Sequence, residues 1–220
     1  RDGGETPFTV NTASLDGQPV KAFGGLGLIP DRPVDEVLTR LEQFPESAHV
    51  LIVPGTIDID KAMKNSELLA AIRRHAFQGM TATGAAADSG TETVTLTDIN
   101  EGIDTATEAR QSTDKAFQAI TASVCTGAFL LAEAGLMDKR DWTTHWEDVD
   151  LLSERLGPKG AQRNVRWVDT GSVITAGGLS AGIDMALHLV HRFAGLELAA
   201  RTAKQIDYTW EPKGRQTTTR

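Results

Sequence analysis

The sequence predicts a single α/β domain over residues 1–220, a flavodoxin-like sandwich with a mostly parallel sheet and helices on both faces. Two continuous apolar runs, residues 48–53 and 119–124, are typical of parallel strands that are buried on both faces. Helical patterns lie between the strand patterns through the middle of the chain, which favours strand–helix–strand units. The 220 residues contain no internal repeat and suffice for one well-developed hydrophobic core.

The first thirty residues predict a hairpin and a loop. Residues 8–14 alternate like a strand, Asp16-Gly17 is a turn, and residues 20–23 return as a second strand. The glycine-rich residues 24–30 lack the Gly-Lys-Ser/Thr ending of a phosphate-binding loop, so they predict an irregular loop.

The next section predicts a helix from Pro33 to about Phe44, the apolar strand that ends in Pro54-Gly55, and a helix over residues 66–78. Residues 81–115 differ in character, since they have seven acidic residues, two basic residues and no aromatic residue. We expect an inserted surface loop there, either a solvated decoration or a lid or interface arm.

The second half of the chain begins with the strand that ends at Cys125 and continues as further alternating elements. These are a helix to about Gly135, a short strand over 141–146, a helix over 147–156, a hairpin of 165–168 with 172–176, helices over 183–193 and 196–208, and a disordered tail over 211–220.

Bulk properties exclude several classes of protein. A formal charge of −8 and a pI of about 5.1 argue against a nucleic-acid-binding surface and against an anionic membrane partner. One cysteine excludes an internal disulfide framework and suits a reducing cytosol, so a cytoplasmic location is predicted. The first residues have no apolar core of a signal peptide. Their abrupt entry into a strand, without an initiating Met, favours a fragment or a processed product.

The single cysteine stands at the most informative point of the chain. The run Ala119–Val124 stops at Cys125, a Thr-Gly follows, and a helix-forming stretch begins at Ala128. This is a strand, a sharp turn that carries a thiol, and a helix whose positive N-terminal end favours thiolate. The alternative is a buried structural cysteine, because free Cys is among the most buried residue types.

A catalytic thiol also needs an oxyanion site and a base. The amides of Thr126 and of Gly55 or Thr56 can supply the first. Among five histidines, His145 is the candidate base, since it ends a short strand expected beside the elbow. The other histidines are explained by packing or exposure. No ligand cluster for a metal is predicted, and no cofactor is expected.

Five motifs carry a resemblance to the ThiJ/PfpI superfamily, and particularly to the branch with isonitrile hydratases and the amidotransferase-like domains of AraC-type regulators. The motifs are Val50–Gly55, Ser123–Ala128, Leu131–Leu136, Thr143–Trp146 and Gly177–Asp184. They span most of residues 5–212. The resemblance implies a flavodoxin-like fold, usually a homodimer, with Gly178 of the last motif assigned to the binding site beside Cys125, Thr126 and His145.

The resemblance also implies an activity. In isonitrile hydratases an elbow cysteine attacks the isocyanide carbon, and water completes conversion to an N-substituted formamide. The chain departs from the family pattern in residues 81–115 and in having no strand and helix before Phe8 to carry the family's Asp or Glu partner of the thiol.

The sequence suggests three alternative functions. The first is a non-catalytic redox or stress sensor with an oxidation-prone Cys125, and the second is a glyoxalase- or deglycase-type member of the superfamily. The third, the ligand domain of a transcription regulator, is disfavoured by the acidic composition and by the lack of a basic helix-turn-helix module. A glutamine amidotransferase triad, which needs His and Glu two residues apart late in the chain, is not predicted.

Overall fold

The computed structural model describes residues 7–44, 47–81 and 119–213. Its strands are β1 (Ala13–Ser14), β2 (Val20–Lys21), β3 (Gly27–Leu28), β4 (Arg32–Pro33), β5 (His49–Val53), β6 (Ala119–Val124), β7 (Trp167–Asp169) and β8 (Val173–Ala176). Its α-helices are α1 (Val34–Glu42), α2 (Ile59–Met63), α3 (Ser66–Thr81), α4 (Gly127–Glu133), α5 (Val149–Leu156) and α6 (Ala181–Gln205).

The central sheet has the strand order β5-β6-β8-β7. β5 and β8 both run parallel to β6, whereas β7 pairs with β8 in the antiparallel direction, as the hairpin prediction requires. The register places Ser123 beside both Val53 and Thr175, so three parallel strands end at the same edge. That edge is where open α/β sheets place their ligand crevice.

Alternating residues of the sheet divide between two helical layers. One face packs with α3, α4 and α5 in a cluster that includes Phe129, Leu131 and Trp142. The other face contributes Ile120 and Ile174, among others, to a cluster with α6. The prediction of an α/β sandwich with a mostly parallel sheet is therefore confirmed.

The N-terminal hairpin prediction is wrong. β1 pairs in parallel with β4, and β2 pairs with β3 in the antiparallel direction. The alternation of residues 8–14 was typical of a longer strand, but it could not identify the partner. Within the predicted loop, a 3₁₀ turn at Phe23–Gly25 precedes β3.

The C-terminal helices meet at Gly195, where the positive φ of 88° breaks α6 close to the boundary expected from the sequence. Most of the predicted insertion 81–115 lies outside the described residues, as does 214–220 of the predicted tail. Within the described residues, no helix combines the length and apolar character needed to cross a membrane.

Candidate functional site

Cys125 occupies a strained turn between β6 and α4. Its φ is 59°, a region that few residues other than glycine adopt. The neighbouring strand end holds this conformation, since the Cys125 N–H donates to the carbonyl oxygens of Ala176 at 3.0 Å and Gly177 at 3.1 Å. A thiol on such a turn projects from the edge of the sheet rather than into a strand neighbour.

Gly127 explains why a glycine closes the elbow. A methyl group at this position would overlap the carbonyl oxygen of Val53 and lie 2.9 Å from that of Pro54. Only glycine lets the start of α4 approach the end of β5 so closely.

The end of β5 lies directly against the elbow. Thr126 Oγ1 accepts a hydrogen bond from the Thr56 N–H at 2.8 Å and donates to the Thr56 carbonyl at 2.6 Å. A methyl group at Gly55 would lie 3.0 Å from Cys125 Cβ. The structure therefore brings Gly55, Thr56 and Thr126 together with the thiol. Because the Thr56 amide already bonds to Thr126, Gly55 is the remaining amide candidate from this segment.

His145 reaches the same edge through an extended segment. The Thr144 hydroxyl donates to the Cys125 carbonyl at 2.8 Å, and the Thr143 N–H donates to Thr175 Oγ1 at 2.9 Å. The predicted strand over 141–146 is reduced to a single bridge between Trp142 and Ala161, since these threonine contacts replace a ladder. His145 then caps a 3₁₀ turn over Trp146–Asp148.

Gly178 packs against the imidazole of His145. A methyl group on Gly178 would overlap His145 Cδ2 and lie 3.0 Å from Nε2. The carbonyl oxygen of the preceding residue, Gly177, accepts a hydrogen bond from the Cys125 N–H. One glycine turn therefore touches both the cysteine and the histidine.

Two carboxylates flank the other side of the ring. His145 Nδ1 lies 3.5 Å from Asp148 Oδ2 and 3.7 Å from Glu147 Oε2. Sequence reasoning missed both residues. The spacing that an amidotransferase triad needs, which the sequence analysis did not find, is present in His145-Trp146-Glu147. The Glu147 side chain is 62% exposed, however, whereas the Asp148 side chain is only 26% exposed.

The thiol is not the ready thiolate that the helix start predicts. Burial raises the pKa of Cys125 above its ordinary value, and the charge of Asp148 raises it further. Hydrogen bonds from the backbone and side chain of Thr126 act in the opposite direction without reversing the rise. The expectation of a lowered pKa is wrong because the sequence showed the helix but not the burial.

The remaining histidines have other surroundings. His75 is 1% exposed and hydrogen-bonds to Thr121, with His49 in edge-to-face contact. His188 pairs with Asp169 at 2.7 Å. Across the described ranges, no three His, Cys, Asp or Glu side chains are grouped as metal ligands.

Comparison with known proteins finds similarities to the part of the chain that carries this arrangement. Residues 107–192, which include the elbow, His145 and the glycine turn, match the model of the DJ-1/PfpI family. This part of the chain is similar to the DJ-1/PfpI family. The superfamily resemblance seen in the motifs is confirmed.

Individual relatives differ in their named functions. The chain is 40% identical over 90 residues to an isonitrile hydratase of Pseudomonas putida, which covers 41% of this chain and 38% of the relative. It is 39% identical over 80 residues to the HTH-type transcriptional regulator GlxA of Rhizobium meliloti, covering 36% of this chain and 24% of the relative. The chain therefore matches well under half the length of either curated relative.

The fold likeness extends much further along the chain. A crystal structure of a ThiJ/PfpI family protein from Pseudomonas syringae superimposes with a TM-score of 0.61 and 23% identity. The match covers 93% of this chain and 64% of that protein. At this identity the likeness describes the fold alone.

Proposed function

We propose that this protein is an enzyme of the DJ-1/PfpI type that hydrates an isocyanide to an N-substituted formamide with Cys125 as nucleophile. The observation that carries the proposal is the glycine turn that contacts both the elbow cysteine and His145. The partial similarity to an isonitrile hydratase supports the choice of substrate class. A reducing cytoplasm suits a single free thiol, and the ligand is a small molecule.

The raised pKa of Cys125 defines what the site must supply. A thiol that is protonated near neutral pH needs a base for attack, because the thiolate is the nucleophile. His145 takes the proton in this proposal, and Asp148 stabilises the imidazolium that forms. A positioned general base typically contributes about 10²–10⁴-fold to rate.

The chemical steps balance with water as the only co-substrate. The Cys125 sulfur bonds to the terminal isocyanide carbon, and the proton held by His145 passes to that carbon, which gives a thioimidate. Water then adds across the carbon–nitrogen double bond. The carbon–sulfur bond breaks, the thiol regains its proton, and the formamide leaves. The Gly55 and Thr126 amides stabilise charge that develops during addition.

The direct test measures N-substituted formamide formed from a simple alkyl isocyanide by the full chain. Cys125→Ala is expected to abolish turnover, and His145→Ala to lower kcat by at least about 10²-fold, as expected for loss of a general base. His191→Ala is the matched control, because His191 contacts Trp210 rather than the elbow. Equal rates for wild type and Cys125→Ala would contradict the nucleophile assignment.

A second candidate is a non-catalytic ligand or redox sensor. The similarity to a transcriptional regulator favours it, whereas the raised pKa of the Cys125 thiol favours ligand binding over oxidation. A sensor would bind an isocyanide or react with peroxide without forming formamide, so the same assay separates the two functions. The homodimer that the resemblance implies stays a prediction, which light scattering of the purified chain can test.

A further inference from the structure

We infer that Gly178 is a positioning residue that sets the imidazole of His145 beside the cysteine elbow. The inference rests on the proposed function, in which His145 acts on the Cys125 thiol. The absence of a side chain at residue 178 is what makes room for the ring, since a methyl group there would overlap His145 Cδ2. Gly178 therefore matters to the site because it has no side chain, and not only because of its backbone amide.

The ring is confined on its opposite side as well. Asp148 Oδ2 lies 3.5 Å from His145 Nδ1, and the Asp148 N–H donates to the His145 carbonyl at 2.9 Å. The Nδ1 side therefore faces the start of the turn Trp146–Asp148, while the Cδ2–Nε2 edge faces Gly178. A methyl group added at residue 178 would press on the Cδ2–Nε2 edge of the ring, and the Asp148 carboxylate lies at the opposite, Nδ1 side.

The glycine turn is anchored and cannot easily retreat instead. The Gly177 N–H donates to the Arg166 carbonyl at 3.0 Å. The Arg166 guanidinium then binds Asp184 and donates to Ser180 Oγ at 2.9 Å. Asp184 is 5% exposed and also accepts from the Tyr208 hydroxyl at 2.8 Å. The network includes Ser180, the residue that precedes α6, whose hydroxyl accepts from Arg166 and makes no capping hydrogen bond to the helix.

Gly177 offers a matched control within the same turn. A methyl group at Gly177 would meet Ala181 Cβ at 3.5 Å and the carbonyls of Thr144 and Val165 at 3.7 Å. These are ordinary van der Waals distances. Gly177→Ala thus adds the same group one residue away, without touching the ring.

The first experiment is a double-mutant cycle on thermal unfolding. Gly178→Ala is expected to lower Tm clearly in the wild-type background and much less in His145→Ala, because the ring that it would overlap is then gone. Gly177→Ala is expected to leave Tm nearly unchanged in both backgrounds. An equal fall in Tm from Gly178→Ala with and without His145 would overturn the inference.

The second experiment measures the reactivity of the Cys125 thiol. The rate of Cys125 alkylation by iodoacetamide is followed against pH, which is specific because the chain has one cysteine. Gly178→Ala is expected to reproduce the pH profile and the fold-loss in alkylation rate of His145→Ala, whereas Gly27→Ala, which adds a methyl group in open space, follows the wild type. A wild-type profile in folded Gly178→Ala would contradict the positioning role. Neither experiment uses an isocyanide, so the inference can fail or stand independently of formamide formation.

Discussion

Asp148 holds His145 at a distance of 3.5 Å between Oδ2 and Nδ1 while its charge also raises the pKa of the Cys125 thiol. The two effects oppose each other in the resting site. A negative charge favours an imidazolium that has accepted a proton, but it disfavours the thiolate that gave the proton up. Asp148 therefore favours proton transfer from Cys125 to His145 during the reaction over a thiolate that is present in the resting site.

Removing this charge separates the two effects. Asp148→Asn is expected to lower the pKa of Cys125, so that alkylation by iodoacetamide reaches half its maximal rate at a lower pH. Glu147→Gln is the control, since Glu147 also lies near His145 but is more exposed and is not a cause of the Cys125 shift. An unchanged profile in Asp148→Asn, or an equal shift in both variants, would contradict this electrostatic assignment.

The hydroxyl of Thr126 ties the elbow to the end of β5. Thr126→Val removes both hydrogen bonds to Thr56 and leaves the backbone groups of Thr56 without that partner. We expect a loss of about 1–3 kcal/mol in the free energy of unfolding, measured by urea denaturation. Thr126→Ser keeps the hydroxyl and should recover most of the loss. If serine is as destabilising as valine, a hydroxyl at this position does not restore stability, which would contradict the assignment to the hydrogen bonds.

His75 gives the fold a defined response to acid. Burial lowers the pKa of His75 from its ordinary 6.5 to about 3, and the neighbouring His49 charge acts in the same direction. The folded state holds the ring neutral while the unfolded state takes up a proton, so the free energy of unfolding falls as pH drops from about 6.5 toward 3.

For one titrating group, the free energy of unfolding changes by at most about 1.4 kcal/mol per pH unit. Urea midpoints between pH 6.5 and 5 measure it before most carboxylates titrate. His75→Asn places a polar, non-titrating group near Nδ1 and should flatten the slope. A slope that persists in His75→Asn would show that other groups cause it.

The Arg166–Asp184 pair should matter more for stability than a surface pair. The Arg166 and Asp184 side chains are 15% and 7% exposed, and Tyr208 completes the group. Asp184→Ala leaves a largely buried guanidinium without its carboxylate and is expected to cost about 3–5 kcal/mol. Glu36→Ala, which removes the exposed partner of Arg32, is the control and should change the urea midpoint little. Comparable losses from the two variants would contradict this ranking.

Local patterns predicted the part of the site that is local in sequence. The apolar run before Cys125, the Thr-Gly after it and the glycine turn before α6 each place a residue at the carboxyl end of a strand, and parallel pairing brings those ends together. His145 was predicted from its position at the end of a short strand expected beside the elbow, and the resemblance of its motif agrees with that choice.

Effects that depend on contacts between distant segments escaped prediction. The raised pKa of Cys125 follows from burial, which no local pattern reports. The contact of Gly178 with His145 joins residues from separate elements. At the N-terminus, β1 pairs with β4 instead of a hairpin partner, because alternation identifies a strand and leaves its neighbour undetermined.

The most direct measurement uses the fact that the chain has one cysteine. Samples alkylated to graded extents with iodoacetamide are assayed for formamide production, with the alkylated fraction read from intact mass. The proposal predicts that activity falls linearly to zero as the alkylated fraction of Cys125 approaches one, and that prior isocyanide slows the alkylation. Full turnover by completely alkylated protein would contradict Cys125 as the nucleophile.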